Sequence, residues 1–364
     1  MTSTTPQTQR IALLAAIAAL VLGAALVGVL AGPGDAAGPK ATFSWELHPT
    51  GTTSGLRGLA AVSERVAWVS GSGGTVLRTL DGGATWQNVA PPDAAGQGFR
   101  DIEAFTADHV VLLAIGQGEA SRVYVTEDGG ATWTKTFQNT EPAAFYDCMS
   151  FFDRHRGLVM GDPVGGKFQI LATDDGGQSW QLLPSTGMPD ALPGEFGFAA
   201  SGTCIETAGG RDAWFGTGGD VVSRVFHSDD RGQTWQVVET PVASAPAGGI
   251  FSLAFTDPRH GLAVGGDFLD PTNAPDGAAY TTDGGATWIA SDGPGEYRSG
   301  SAWIPRLPKT AVAVGPTGSD VSTDGGKSWT RFDTRSFDSV DCVRTGACWA
   351  SGAQGAAARL VVDR

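Results

Sequence analysis

Thr79-Leu80-Asp81-Gly82-Gly83-Ala84-Thr85-Trp86 is the stretch on which the reading of this chain turns. It recurs as TEDGGATW at Thr126 to Trp133, TDDGGQSW at Thr173 to Trp180 and SDDRGQTW at Ser228 to Trp235. Two further copies are TTDGGATW at Thr281 to Trp288 and STDGGKSW at Ser322 to Trp329. The aspartates stand at 81, 128, 175, 230, 283 and 324, so the steps are 47, 47, 55, 53 and 41 residues. A period of that size belongs to propeller blades of four strands. Between boxes the same order returns, as in Phe251 to Phe255, Gly261 to Gly265 and Ala278 to Thr281, each a short apolar run bounded by turn residues. The box joins a third strand to a fourth that starts at the Trp.

Each box residue has a mechanical role. The aspartate accepts hydrogen bonds from turn N–H groups, glycine permits positive φ, the Ser and Thr hydroxyls bond locally, and Trp buries a large ring between sheets. Asp81, Asp128, Asp175, Asp230, Asp283 and Asp324 therefore read as structural, because six copies around a ring face six different surroundings. A seventh blade comes from both ends of the repeat region. Phe337 to Ala350 and Ala356 to Val362 supply three strands with no box after them, and Phe43-Ser44-Trp45-Glu46-Leu47 before the first blade matches a fourth strand. The expectation is an all-β, seven-bladed β-propeller over 42–364 with four-stranded blades, its last blade closed by the N-terminal strand.

Composition agrees with that architecture. Glycine, at 53 of 364 residues, is about twice its usual share and marks frequent turns. Eleven Trp and 17 Phe provide a substantial core. The net charge of −14 disfavours nucleic acid and anionic lipid surfaces as partners. Residues Ile11 to Ala31 form an unbroken apolar run after Arg10, so 1–31 reads as a signal peptide or membrane anchor and 32–41 as a Gly/Pro/Ala linker. Either reading exports the propeller to a periplasmic or extracellular compartment, with membrane contact only through the N-terminal segment. Cys342 and Cys348, six apart across a tight turn, suit a disulfide; the alternative is two buried thiols. Cys148 and Cys204 fall at equivalent places in neighbouring first strands, which reads as core packing, since a bridge there needs an unusually close approach of the strands.

The boxes are Asp-box, or BNR, repeats. Further pieces carry a finer resemblance: Phe145-Tyr146-Asp147, Gly161-Asp162-Pro163, Gly166-Lys167-Phe168, Leu192-Pro193-Gly194-Glu195, Ala200-Ser201-Gly202-Thr203, Gly265-Gly266-Asp267 and Gly315-Pro316-Thr317-Gly318. With these, residues 43 to 362 resemble bacterial relatives of photosystem II stability/assembly factors. The resemblance implies a seven-bladed, exported binding or assembly factor for a membrane or redox protein complex rather than an enzyme; the accompanying expectation is a monomer with a protein or peptide partner, no cofactor and no catalytic residues.

If each blade begins with its inner strand on one face of the disc, that face holds the loops between blades and the boxes lie on the other. Rim residues are then Arg57, Arg100, Asp101, Tyr146, Asp147, Asp162, Glu195, Asp267, Arg298 and Asp320. They mix both charges, which suits a peptide or polar ligand and equally a salt-bridged plug. The enzymatic alternative is a sialidase-like glycoside hydrolase using a pair among Asp147, Asp162, Glu195 and Asp267. Against it, no Arg-Ile-Pro motif precedes the first box, and Arg57, Arg100 and Arg298 belong to different blades. A purely architectural exported protein is the third reading. No Gly-x-Gly-x-x-Gly, Walker, His-Glu-x-x-His or Cys-x-x-Cys pattern is present, and the five histidines are scattered, so no metal site is expected.

Overall fold

A computed structural model describes residues 41–219 and 222–363. The leader or anchor expected at 1–31, and the linker up to residue 40, lie outside the described residues. Blade 1 is Leu56–Ala61, Ala67–Gly71, Val76–Thr79 and Gln87–Asn88, paired antiparallel in chain order. The same plan repeats from first strands Gly98–Ala104, Tyr146–Phe151, Ile205–Ala208, Gly248–Phe255, Gly300–Trp303 and Ser339–Cys342. Each first strand packs on the first strands of the blades at either side, and that of blade 7 returns to that of blade 1. The result is a closed ring of seven sheets.

Closure uses the strand before the first blade. Thr42–Leu47 runs antiparallel to Ala357–Asp363, from Thr42 opposite Asp363 to Leu47 opposite Ala358. Trp45 anchors it from a buried position between Phe337 and Phe332, with ring centroids 5.3 and 5.9 Å away. Its indole N–H donates to Ser319 Oγ at 3.0 Å. The edge of Ala357–Asp363 that would otherwise lie open is thereby paired within the ring.

The boxes are built as the residue types dictate. In the first, Asp81 Oδ1 accepts the Thr79 hydroxyl at 2.9 Å and the Thr85 N–H at 2.9 Å, Oδ2 accepts the Thr85 hydroxyl at 2.6 Å, and Thr79 Oγ1 accepts the Gly83 N–H at 2.8 Å. The fourth box repeats the set around Asp230. The Thr85 bonds hold the exposed Asp81 carboxyl down to about 2. Each box tryptophan then enters the core shared with the preceding blade. Trp133 meets Trp68 of blade 1 edge-on at 6.3 Å, and Trp86 meets Trp349 of blade 7 at 6.0 Å. Gly83, at φ 87°, backs onto His48, where a Cβ would come within 2.7 Å. The N-terminal strand thus occupies the place a preceding blade holds elsewhere.

Two features depart from the simple repeat. Glu195–Phe196 and Gly218–Gly219 form a short ribbon that joins the inner edge of blade 5, whose sheet has six strands where four were expected. The surplus chain comes from the longest box-to-box step, between Asp175 and Asp230. Glycine makes the junction possible, since a Cβ on Gly218 would sit 2.5 Å from the Gly249 Cα. Second, Cys148 and Cys204 are disulfide-bonded, which corrects the core-packing reading. First strands converge towards the axis of a propeller, and here the two α-carbons are 5.9 Å apart. Cys342 and Cys348, directly opposite across a hairpin, form the second disulfide.

Candidate functional site: the mouth of the ring

On the face away from the boxes, a cavity of about 610 Å³ touches residues from every part of the ring. Arg57, Arg100, Asp147 and Asp338 line it, from blades 1, 2, 3 and 7. Phe251, Tyr297 and Phe196 to Ala200 complete the wall. A space bounded by the starts of first strands around a closed ring lies on its axis.

A backbone device aims these side chains. In blades 1, 2, 3 and 5 the pairing of first and second strands skips one residue, and the skipped residue is Arg57, Arg100, Asp147 or Phe251. A β-bulge leaves its extra residue out of the ladder and turns its side chain away from the sheet, here into the mouth. The local sequence is a large apolar residue, the mouth residue, then a smaller one: Leu56-Arg57-Gly58, Phe99-Arg100-Asp101, Tyr146-Asp147-Cys148 and Ile250-Phe251-Ser252. Phe337-Asp338-Ser339 has the same frame. That frame marks Asp338 and Phe251, which the reading by charge alone passed over.

The ten rim residues divide accordingly. Arg57, Arg100, Asp147 and Asp162 meet at the cavity. Asp101 points below it, accepting the Ile102 N–H at 2.7 Å and the Met149 N–H of blade 3 at 2.5 Å. Tyr146 belongs to the core between blades 2 and 3, edge-on to Phe137 at 5.6 Å. Glu195 is buried against Arg224, whose Nε lies 2.9 Å from Oε1, and also accepts the Thr217 hydroxyl at 2.6 Å. Arg298 is wholly buried, with Nε 2.7 Å from Asp320 Oδ2. Asp267 closes a turn by accepting the Leu269 N–H at 2.8 Å. These six hold the rim together rather than face the cavity.

The mouth is electrically divided. Arg57 lies 3.6 Å from Asp338, and Arg100 donates to the Ala199 carbonyl at 3.1 Å. Burial, with the charge of Arg57, lowers the Arg100 guanidinium to about 10. Opposite charges gather at Asp147 and Asp162. Asp162 Oδ1 accepts the Gly197 N–H at 2.9 Å, while Asp147 Oδ2 is buried and accepts nothing. Burial pushes Asp162 up to about 6, and burial with the neighbouring Asp162 charge holds Asp147 well above the usual carboxylate range. Deeper along the axis, burial also raises Asp101, Glu103, Asp341 and Glu206, the last to about 8. Asp341 spends its carboxylate on the Ala61 N–H at 2.8 Å, a link from blade 7 to blade 1. Among the described residues no group of three or more His, Cys, Asp or Glu is placed to hold a metal ion.

The BNR/Asp-box repeat model matches residues 226–237, the fourth box with its flanking strands, and the structure shows that same box geometry set in a closed ring of seven blades. The chain is a seven-bladed β-propeller that carries Asp-box, or BNR, repeats. No curated protein matches the sequence. Among solved structures, this Asp-box propeller is similar to YCF48 from Cyanidioschyzon merolae, at TM-score 0.62 and 16% identity, over 87% of this chain and 98% of that one. It is similar to YCF48 bound to a D1 peptide at TM-score 0.58 and 17% identity, over 88% and 95%. A GH74 xyloglucanase from Xanthomonas campestris gives TM-score 0.59 and 15% identity, over 86% of this propeller and 53% of that chain. At such identities the likeness is one of fold.

Proposed function

We propose that this Asp-box propeller is an exported, monomeric binding protein that takes a segment of a partner protein at its mouth and so assists the assembly or stability of a membrane or redox complex. The observation that carries the reading is the cavity on the ring axis, where bulges deliver Arg57, Arg100, Asp147 and Phe251 into one space beside Asp162 and further aromatic rings. Aromatic area with both charges at a rigid, concave site is the make-up of a segment-binding pocket. Beside it, Phe268 is about half exposed and Leu269 is 74% exposed, an apolar lip continuous with the cavity. The similarity to YCF48, one structure of which holds a D1 peptide, supports a peptide occupant. Export is supported by the apolar run Ile11 to Ala31 and by two disulfides, which persist in oxidising compartments. Capture from a membrane extract with the native protein and with Arg57→Ala/Arg100→Ala tests the reading. The expected result is a partner retained by the native protein and lost by the variant at unchanged melting temperature. Absence of any partner that depends on the mouth would sink it.

A second reading is favoured by one observation. Asp162, raised to about 6 beside Asp147, has the poise of a general acid in glycoside hydrolysis, and the fold is shared with a xyloglucanase. Release of reducing sugar from xyloglucan, abolished by Asp162→Asn, would establish it. No release from xyloglucan or sialosides removes it.

A further inference from the structure

Asp147 and Asp162 sit close together around one backbone residue. Gly197 gives its N–H to Asp162 Oδ1 at 2.9 Å, and a Cβ on the same glycine would lie 3.4 Å from Asp147 Oδ2. Asp147 is only 2% exposed, yet its Oδ2 has no hydrogen-bond donor. A buried carboxylate oxygen without a donor costs stability, and folded proteins keep such a group where something else completes it. The chain's own cations do not. Arg57 is engaged with Asp338, Arg100 with the Ala199 carbonyl, and among the described residues no Lys, Arg or His makes an ion pair with either acid.

The surroundings specify what is missing. Phe145, Phe196, Phe198 and Phe251 line the same cavity, with Phe198 and Phe251 stacked at 3.9 Å. Carboxylates set among aromatic rings attract a cation by charge and by the negative faces of the rings. A compact ammonium whose three donors point in different directions can reach one oxygen of each acid at once, whereas a planar guanidinium directs its parallel donors at a single carboxylate. Asp162 has one oxygen already engaged.

We propose that the Asp147–Asp162 pair, with the phenylalanines around it, binds a primary ammonium group of the incoming segment, either a lysine side chain or a free N-terminus. This assignment rests on the reading of the mouth as a segment-binding site and adds its chemical specificity. Arg57 and Arg100 on the other wall, with Asp338 between them, leave room for an acidic or carboxylate group of the same segment, so the mouth reads a dipolar ligand in one orientation.

Calorimetric titration of the full chain at neutral pH tests the assignment with three blocked or free pentapeptides. The first is acetyl-Gly-Gly-Lys-Gly-Gly-amide, the second the same peptide with the lysine acetylated on Nζ, and the third pentaglycine amide with a free N-terminus. At least one ammonium-bearing probe should bind about tenfold or more tighter than the acetyl-lysine peptide. Which of the two binds identifies the source of the ammonium. Because the acids hold a proton when empty, binding should release it, seen as a heat that depends on the buffer's ionisation enthalpy. Asp147→Asn should abolish the preference while melting at nearly the same temperature, since a neutral amide of the same shape replaces a buried acid that has no partner. Equal binding of all three peptides, or an unchanged preference in Asp147→Asn, overturns the ammonium site and leaves segment binding standing. Failure of every probe to bind, with partner capture still dependent on Arg57 and Arg100, overturns it too; loss of both results removes both readings.

Discussion

Glu195 and Arg224 show what a charged rim residue does when it is not offered to a ligand. Glu195 takes bonds from the Arg224 guanidinium, the Thr217 hydroxyl and the Leu192 N–H at 2.8 Å. Arg224 also lies over the Phe226 ring, 5.0 Å from its centroid. Both side chains are buried, so removing one strands the other's charge. Arg224→Met should therefore cost about 3 kcal/mol of unfolding free energy, and adding Glu195→Gln should recover most of that loss. Denaturant titration of the three variants decides it; a cost no larger than that of Glu195→Gln alone would count against the pair as a structural clamp. Contrast explains why charge was a poor guide to the site. Arg298 and Arg57 look alike in sequence, each after an apolar residue at the start of a first strand, yet Arg298 finds Asp320 beside it and Arg57 stands in a bulge. What separates them is one skipped rung of the ladder, since Tyr297-Arg298-Ser299 has the same local frame as Leu56-Arg57-Gly58 and the frame alone does not tell a bulge from a buried pair.

At the level of strands and blades, the repeat was legible because its turn chemistry is local. Thr79, Asp81, Gly83 and Thr85 satisfy one another within seven residues, so their spacing survives as a sequence signal. The ribbon Glu195–Phe196 with Gly218–Gly219 was not legible, since two-residue strands lack any alternation to recognise. Nor was the Cys148–Cys204 bond, which depends on how closely two blades converge rather than on either strand. The closing strand was legible by its likeness to other fourth strands, and Trp45 is its anchor. Trp45→Ala should destabilise the fold by about 3 to 5 kcal/mol, whereas Trp45→Phe, losing chiefly the bond to Ser319, should cost about 1 kcal/mol. If Trp45→Ala melts with the native protein, closure does not contribute to global stability.

For the whole molecule, two sets of carboxyls pull stability in opposite directions with pH. The box aspartates and Asp153 are held below their ordinary range, Asp81 and Asp153 to about 2. Their contribution is complete above the unfolded value near 4 and is lost as pH falls towards 2. The axial and mouth acids are raised, Asp162 to about 6 and Glu206 to about 8. They keep a proton that the unfolded chain releases, so folding weakens as pH rises from about 4 through those values. Melting temperature should accordingly peak at about pH 4, declining on both sides. A scan from about pH 3 to pH 9 that rises monotonically would show the axial acids to be ionised in the folded ring. One feature of the ring bears on how it is made. Thr42 pairs with Asp363, so the earliest strand of the propeller has no partner until the latest one has been synthesised. A growing chain therefore cannot shut the ring on the way, and closure waits until the whole propeller has been made.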